Sequence, residues 1–156
     1  MPKVTVGAAL PAFSLPSTAG QDFSPADARG AALVLYFYPK DATPGCTTEA
    51  GDFRDLHAKF RRAGALLLGI SRDSLASHEK FRAKFELPFA LLSDSEEKVC
   101  RLFDVIREKN MYGRKVIGIE RSTFLIDAKG VLRREWRKVK VAGHAEEVLE
   151  AVRSLG

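Results

Sequence analysis

The segment 32-ALVLYFYPKDATPGCTTEAGDF-53 limits the chain more than any other. Ala32 to Tyr38 is a continuous apolar run, the pattern of a strand covered on both faces rather than one alternating between core and water. Phe53, Leu56, Phe60 and Ala63 then recur at helical spacing and stop at Gly64, a C-terminal signal. A second apolar run, Ala65 to Ser71, follows at once. Strands covered on both faces need layers above and below them. A chain of 156 residues has room for that, since a domain of this length buries about two-thirds of its unfolded surface.

The rest of the chain keeps alternating. A helical pattern crosses His78, Phe81 and Phe85, and a short strand is expected near Phe89 to Leu92. The stretch 93-SDSEEKVCRLFDV-105 reads as a Ser-capped, acidic helix start carrying Val99, Leu102 and Phe103, followed by a polar loop containing 110-NMYGRK-115. Ser122 to Ile126 and Val131 to Trp136, joined by the turn sequence 127-DAKG-130, form a hairpin. A closing helix from about His144 carries Val148, Val152 and Leu155. The expected fold class is α/β, with a central mixed sheet flanked by helices, and residues 1–156 form one domain. Several α/β arrangements share this order.

Two cysteines, Cys46 and Cys100, are too few for a disulfide scaffold or a cysteine-based zinc site, and point to a reducing compartment. The opening MPKVTVGAALPAFSL has no long apolar run and reads as neither signal peptide nor anchor, so the expected location is the cytoplasm, with no membrane partner. The net charge of +5 is spread along the chain, with one denser cluster in 129-KGVLRREWRKVK-140. Its basic residues alternate with Val131, Leu132, Trp136 and Val139, as on a half-exposed strand, so no nucleic-acid partner is expected.

Cys46 is the residue with a distinctive setting. Thr43 is a strong N-cap and Pro44 suits the first helical position, which makes Cys46 the third residue of the helix. There the sulfur faces unpaired backbone N–H groups and the positive end of the helix dipole, which favour the nucleophilic thiolate. A free cysteine is also commonly an inert core residue. The cap, the Pro-Gly pair and the preceding buried strand weigh towards function, because they set Cys46 at the carboxyl end of a strand, where open α/β sheets place their sites.

What is missing narrows the chemistry. Thr43 stands where a C-x-x-C dithiol centre would have its first cysteine. His57 and His78 fall within helical patterns and His144 begins one, so each reads as structural or exposed rather than as an imidazole partner for the thiol. Three scattered histidines and two cysteines show no metal-ligand spacing, and neither metal nor cofactor is expected. A thiolate with a hydroxyl three residues before it, and arginines elsewhere, suits attack on a neutral polarised bond such as O–O.

The run from Pro39 through Thr43 to Cys46 resembles the P-x-x-x-T-x-x-C signature of peroxiredoxins, and YFYPK…TPGCTTEA resembles the bacterioferritin-comigratory protein, or peroxiredoxin Q, subfamily. The likeness extends through residues 7 to 15, LLSD at 91 to 94, FDVIREKNMYG at 103 to 113, ERSTFLID at 120 to 127 and KVAGHAEEVL at 140 to 149. It implies a thioredoxin-like fold and reduction of hydrogen peroxide and organic hydroperoxides. It also implies roles: Cys46 as the nucleophile oxidised to sulfenic acid, Thr43 hydrogen-bonding the peroxide, and Pro39 shielding the pocket. Arg121 would favour the thiolate and polarise the substrate, the N–H groups of Gly45 and Cys46 would complete the cradle, and Glu49 would order the first turn. A surface carboxylate near a helix start is the plainer reading of Glu49.

Many subfamily members carry a second, resolving cysteine five residues after the first, or on the following helix; here those positions are Gly51 and Arg82. The expected cycle is therefore of the one-Cys type, recycled by an external thiol such as thioredoxin, glutaredoxin or a small thiol. Two alternatives stand beside it: Cys100 as the resolving thiol, within the chain or across a dimer, and a low-turnover redox sensor. Cys100 itself reads as a core residue on a helix. The resemblance favours a monomer, with a dimer as the alternative. Apolar residues of 110-NMYGRKVIGIE-120 would cover either the rim of the site or a partner.

Overall fold

The structure, a computed structural model, describes residues 4–155, without the side chains of Lys109 and Met111. Residues 1–3 of the opening stretch read above as neither signal nor anchor lie outside it. The elements in chain order are β1 (Ala32–Phe37), α1 (Pro44–Arg62), β2 (Ala65–Ser71), α2 (Leu75–Lys84), β3 (Leu91–Ser93), α3 (Lys98–Leu102), β4 (Ile106–Met111), β5 (Arg114–Ile119), β6 (Ser122–Ile126), β7 (Leu132–Trp136) and α4 (His144–Arg153). A short 3-10 helix at Pro25–Ala28 precedes them. Among the described residues, no helix is long and apolar enough to cross a membrane.

Five strands form one sheet in the order β3-β2-β1-β6-β7. The apolar run at 32–38 becomes the central strand, parallel to β2 and antiparallel to β6. Its side chains alternate between two buried layers. Leu33, Leu35 and Phe37 pack with Val99, Cys100, Leu102 and Phe103 on one side. Val34, Tyr36 and Tyr38 pack with Cys46, Phe53, Phe60, Phe81, Val148 and Val152 on the other. Cys46 and Cys100 thus lie in different layers, with the sheet between them. This is the mixed sheet flanked by helices expected of a thioredoxin-like fold. The helix stop expected at Gly64 is there too: Ala63 is the C-cap of α1, and Gly64 takes φ +81°, which glycine adopts without steric cost.

Two local expectations change. The polar loop around 110–115 is the tip of a two-stranded hairpin, β4 with β5, closed by Tyr112 and Gly113 at φ +53° and +79°. Positive φ at both central residues gives the turn that matches the twist of paired strands. The first strand, IREKNM, is mostly charged or polar, and the second, RKVIGI, begins with two basic residues and groups its apolar ones, so neither shows the apolar alternation of a strand. Tyr112, Val116 and Ile117 remain exposed. The serine-capped helix start expected in 93–105 is not formed: the helix starts at Lys98 with Glu97 at its N-cap, the Ser93 hydroxyl donates to Asp73 O (2.7 Å), and the Asp94 carboxylate accepts the Cys100 N–H (2.6 Å).

The basic cluster at 129–140 lies largely on the edge strand β7, and several of its arginines have internal partners. Arg133 pairs with Asp127 at 3.3 Å, Arg134 lies 4.6 Å over the Trp136 ring, and Arg137 donates to the carbonyls of Phe103 and Asp104.

Candidate active site

Cys46 is the third residue of α1 and is 2 % exposed. Thr43 occupies the N-cap in extended conformation, but its hydroxyl does not cap the helix. It donates to Lys40 O at 2.8 Å, fixing the hydroxyl within the turn that leads into α1. Pro44 and Gly45 are exposed, while Pro39 and Thr43 are half-buried, so the path to Sγ runs over this first turn.

Arg121 comes from a distant part of the chain, just before the strand next to β1. Antiparallel pairing sets Ser122 opposite Phe37, which brings the residue before β6 to the carboxyl end of β1. From there Arg121 Nη2 donates to Cys46 Sγ at 3.5 Å, and Nη1 donates to Glu49 Oε1 at 2.6 Å. Gly45 leaves room for this approach: a Cβ there would lie 3.1 Å from Nη2, so the guanidinium would have to give by a few tenths of an ångström. Glu49 follows Cys46 by three residues, so both face the same side of α1. The plain surface reading of Glu49 is corrected here, since it is 1 % exposed and ion-paired. The structure thus brings together Cys46, Thr43, Gly45, Glu49 and Arg121.

Burial lifts the Glu49 carboxyl to about 7, although the Arg121 guanidinium pulls the other way. Burial also opposes the charge of Arg121, but Glu49 and Cys46 together hold its pKa above the ordinary value. Glu49 Oε2 and the Tyr36 hydroxyl are both buried, and neither has a hydrogen-bond partner among the described residues. Burial, with Glu49 adding to it, raises the Tyr36 hydroxyl well above its ordinary pKa, so it stays protonated.

A stability prediction follows from Glu49. A carboxyl at about 7 in the fold and 4.5 in the free chain holds its proton in the native state after the unfolded state has lost it. Its contribution therefore falls as pH rises through that window. Glu49→Gln, which cannot titrate, is expected to gain roughly 3 kcal/mol relative to the parent between the two ends of the window. Urea unfolding of both proteins across that pH range measures the difference, and parallel profiles would contradict it.

The three imidazoles are engaged elsewhere. His57 is half-buried on α1, its ring 6.1 Å from that of Phe89. His144 Nε2 lies 2.8 Å from the Thr123 hydroxyl, and burial lowers its pKa to about 4, so it is neutral. His78 is fully buried and faces Asp41. Sequence reasoning missed the cluster that His78 forms with Asp41 and Asp73, whose candidate ligand atoms lie within 4.8 Å of one another. Their oxygens already accept hydrogen bonds from Tyr38, Ser71, Ser77 and the Asp41 N–H, which suits a structural network better than a cation cage. The available signal was Tyr38, whose hydroxyl needs a partner at the end of an apolar strand.

Cys100 is fully buried in the opposite layer, and burial together with Asp94 pushes its thiol far above the ordinary value. Both cysteines are free. Of the positions where a second thiol was sought, Gly51 lies on α1, and Arg82 on α2 donates to Phe89 O at 3.2 Å.

Comparison with known proteins follows the same lines. Residues 6–135 match the AhpC/TSA family. The chain is 60 % identical over 122 residues to the peroxiredoxin Bcp of Xanthomonas campestris pv. campestris, covering 78 % of this chain and 76 % of that protein. It is 47 % identical over 152 residues to the peroxiredoxin Bcp of Bacillus subtilis, covering 97 % of each. A solved structure of the Xanthomonas campestris bacterioferritin comigratory protein, a trapped intermediate/ligand complex bearing on that protein's alkyl peroxide reduction, superposes with a TM-score of 0.90 at 50 % identity, covering 97 % of this chain and 99 % of that one.

Proposed function

The chain belongs to the AhpC/TSA family and is a peroxiredoxin, a thiol peroxidase, and from that premise we propose that Cys46 is its peroxide-reducing nucleophile, working in a one-Cys cycle on hydrogen peroxide and organic hydroperoxides. The observation that carries this reading is the contact of Arg121 Nη2 with Cys46 Sγ (3.5 Å) at the start of α1. A guanidinium shared between the sulfur and a peroxide oxygen stabilises negative charge on both as it passes from one to the other.

In the proposed step the Cys46 thiolate attacks one oxygen of ROOH. The S–O bond forms as the O–O bond breaks, giving Cys46–SOH and an alkoxide that takes a proton to leave as ROH. Sulfur is oxidised by two electrons and the peroxide is reduced by two. Thr43 orients the peroxide, Pro39 shields the pocket, the N–H groups of Gly45 and Cys46 line the cradle, and Glu49 holds Arg121 in place. Two equivalents of external thiol then return Cys46 to the thiol, with release of water and a disulfide. Thioredoxin, glutaredoxin or a small thiol fits that role.

The one-Cys reading is supported by the placement of Cys100 across the sheet. Two sulfurs join only when their Cα atoms come within about 7 Å, and here the central sheet stands between the two cysteines. We further read residues 1–156 as one catalytic unit, a cytoplasmic monomer that needs no nucleic acid, membrane, metal or other cofactor.

Steady-state peroxide consumption with a dithiol reductant tests the cycle. Cys100→Ser is expected to keep turnover within a factor of about two. Loss of turnover in this variant, with loss of a Cys46–Cys100 disulfide, would make Cys100 the resolving thiol. Consumption that stops after one equivalent would point to a redox sensor.

A further inference from the structure

We propose that Asp41 is a positioning residue for peroxide reduction: held by Tyr38, Ser77 and His78, it keeps Ala42 in the left-handed turn that presents Thr43 and Cys46 at the start of α1. The inference rests on reading Cys46 and Thr43 as the reacting pair.

The loop between β1 and α1 alternates between solvent and core. Lys40 and Ala42 are exposed and Thr43 is half-buried, yet Asp41 between them is only 7 % exposed. Its side chain points inward and is bound from two sides. Tyr38, just after β1, donates its hydroxyl to Oδ1 at 2.7 Å. Ser77 and His78 of α2 reach Oδ2 at 2.9 and 2.7 Å. Hydrogen bonds from His78, Tyr38 and Ser77 hold the Asp41 carboxyl below its ordinary pKa, against the opposing effect of burial.

The clamp is itself anchored. His78 Nε2 lies 2.9 Å from Leu92 O of β3, so the ring meets acceptors at both ends. The Asp41 N–H donates to Asp73 Oδ2 at 2.8 Å, and that oxygen also accepts from Ser71 at the end of β2 (2.6 Å). Parts of β1, β2, β3 and α2 therefore converge on one loop residue.

What this holds in place is visible in the next two residues. Ala42 has φ +64°, a conformation in which its Cβ crowds the following carbonyl oxygen. An exposed alanine has no packing of its own to enforce that turn. The restraint comes from either side, from the Asp41 clamp before it and from the Thr43 hydroxyl on Lys40 O (2.8 Å) after it. Released, Ala42 relaxes towards negative φ, and Thr43 shifts against Cys46 while the thiol stays on its helix. None of this serves general stability alone, because the clamped segment carries the reacting groups.

The test compares two reactions of the same sulfur. Iodoacetamide needs a nucleophilic sulfur but no aligned Thr43, whereas hydrogen peroxide needs both. With Asp41→Asn, the second-order rate constant for Cys46 oxidation is expected to fall about 100-fold, the loss that a displacement on the order of 1 Å brings. Alkylation at the same pH should change by less than about threefold. Ala42→Gly in the Asp41→Asn background should recover about tenfold in peroxide rate, because glycine takes the left-handed turn unaided. If Asp41→Asn does not fold, Ser77→Ala carries the same comparison with a smaller drop. A peroxide rate within about threefold of the parent, equal losses in both reactions, or no recovery with glycine would each overturn the proposal. Failure of the parent protein itself to oxidise at Cys46 would instead overturn the reading on which it rests.

Discussion

Cys46→Ser is expected to remove peroxide turnover, lowering kcat/KM by at least about 10³-fold, because a serine hydroxyl stays protonated where a thiolate would act. The substitution replaces sulfur by oxygen in a buried niche and leaves the side-chain length almost unchanged, so the thermal midpoint should move little. Cys100 cannot substitute for it, being fully buried in the other layer with its thiol held protonated. Peroxide consumption and thermal unfolding of the same preparation separate the two effects. A folded variant that still turns over peroxide would sink the assignment of Cys46.

Arg121→Gln is the second large effect, and it acts on rate and stability by different routes. The rate of Cys46 oxidation should fall about 10²- to 10³-fold, the usual cost of removing a donor aimed at developing negative charge. Stability should fall as well, by roughly 3 kcal/mol above neutral pH, because Glu49 is left buried without its partner. That penalty shrinks as pH falls and is small below about 7, where Glu49 holds a proton even in the parent; without Arg121, which lowers it, the carboxyl takes up its proton at still higher pH. Adding Glu49→Gln to the variant restores stability but not rate. Stopped-flow oxidation and urea unfolding of the single and double variants measure both. If the double variant recovered its rate, Arg121 would be only a partner for Glu49.

The parts of the fold that depend on local pattern were readable from the residues. Continuous apolar runs at 32–38 and 65–71 became β1 and β2, the hairpin around 127-DAKG-130 formed as expected, and the Thr-Pro-Gly-Cys order put Cys46 third in α1. The features that stayed hidden depend on residues brought together from afar. Glu49 could be taken for a surface carboxylate because the partner of its buried carboxyl is Arg121, delivered by the pairing of β1 with β6. Asp41 and His78 are 37 residues apart, and no periodicity links them. The strands β4 and β5 show no apolar alternation, since β4 is mostly charged or polar and the apolar residues of β5 are grouped together, and their pairing is closed by a two-residue turn. The short helix α3 has no serine cap: Glu97 holds the N-cap position, and the Ser93 hydroxyl donates to Asp73 O instead of lying at a helix start.

The same organisation bears on recycling. A peroxide is small enough to reach a sulfur that is 2 % exposed, but a protein thiol is not. In the proposed one-Cys cycle the first turn of α1, with Pro44 and Gly45 exposed, is the part that would open for an external reductant to reach Cys46. On the proposed reading, clamping by Asp41 on one side and Arg121 on the other would favour the closed, peroxide-reactive arrangement.

The most direct test of the account is intact mass under non-reducing conditions, with a sulfenic-acid trap present, after one equivalent of hydrogen peroxide. A single trapped adduct, mapped by peptide analysis to Cys46, is the predicted result. A peptide joining Cys46 to Cys100, with loss of two hydrogens, would contradict the one-Cys cycle, and no rapid change at Cys46 would contradict its role as the nucleophile.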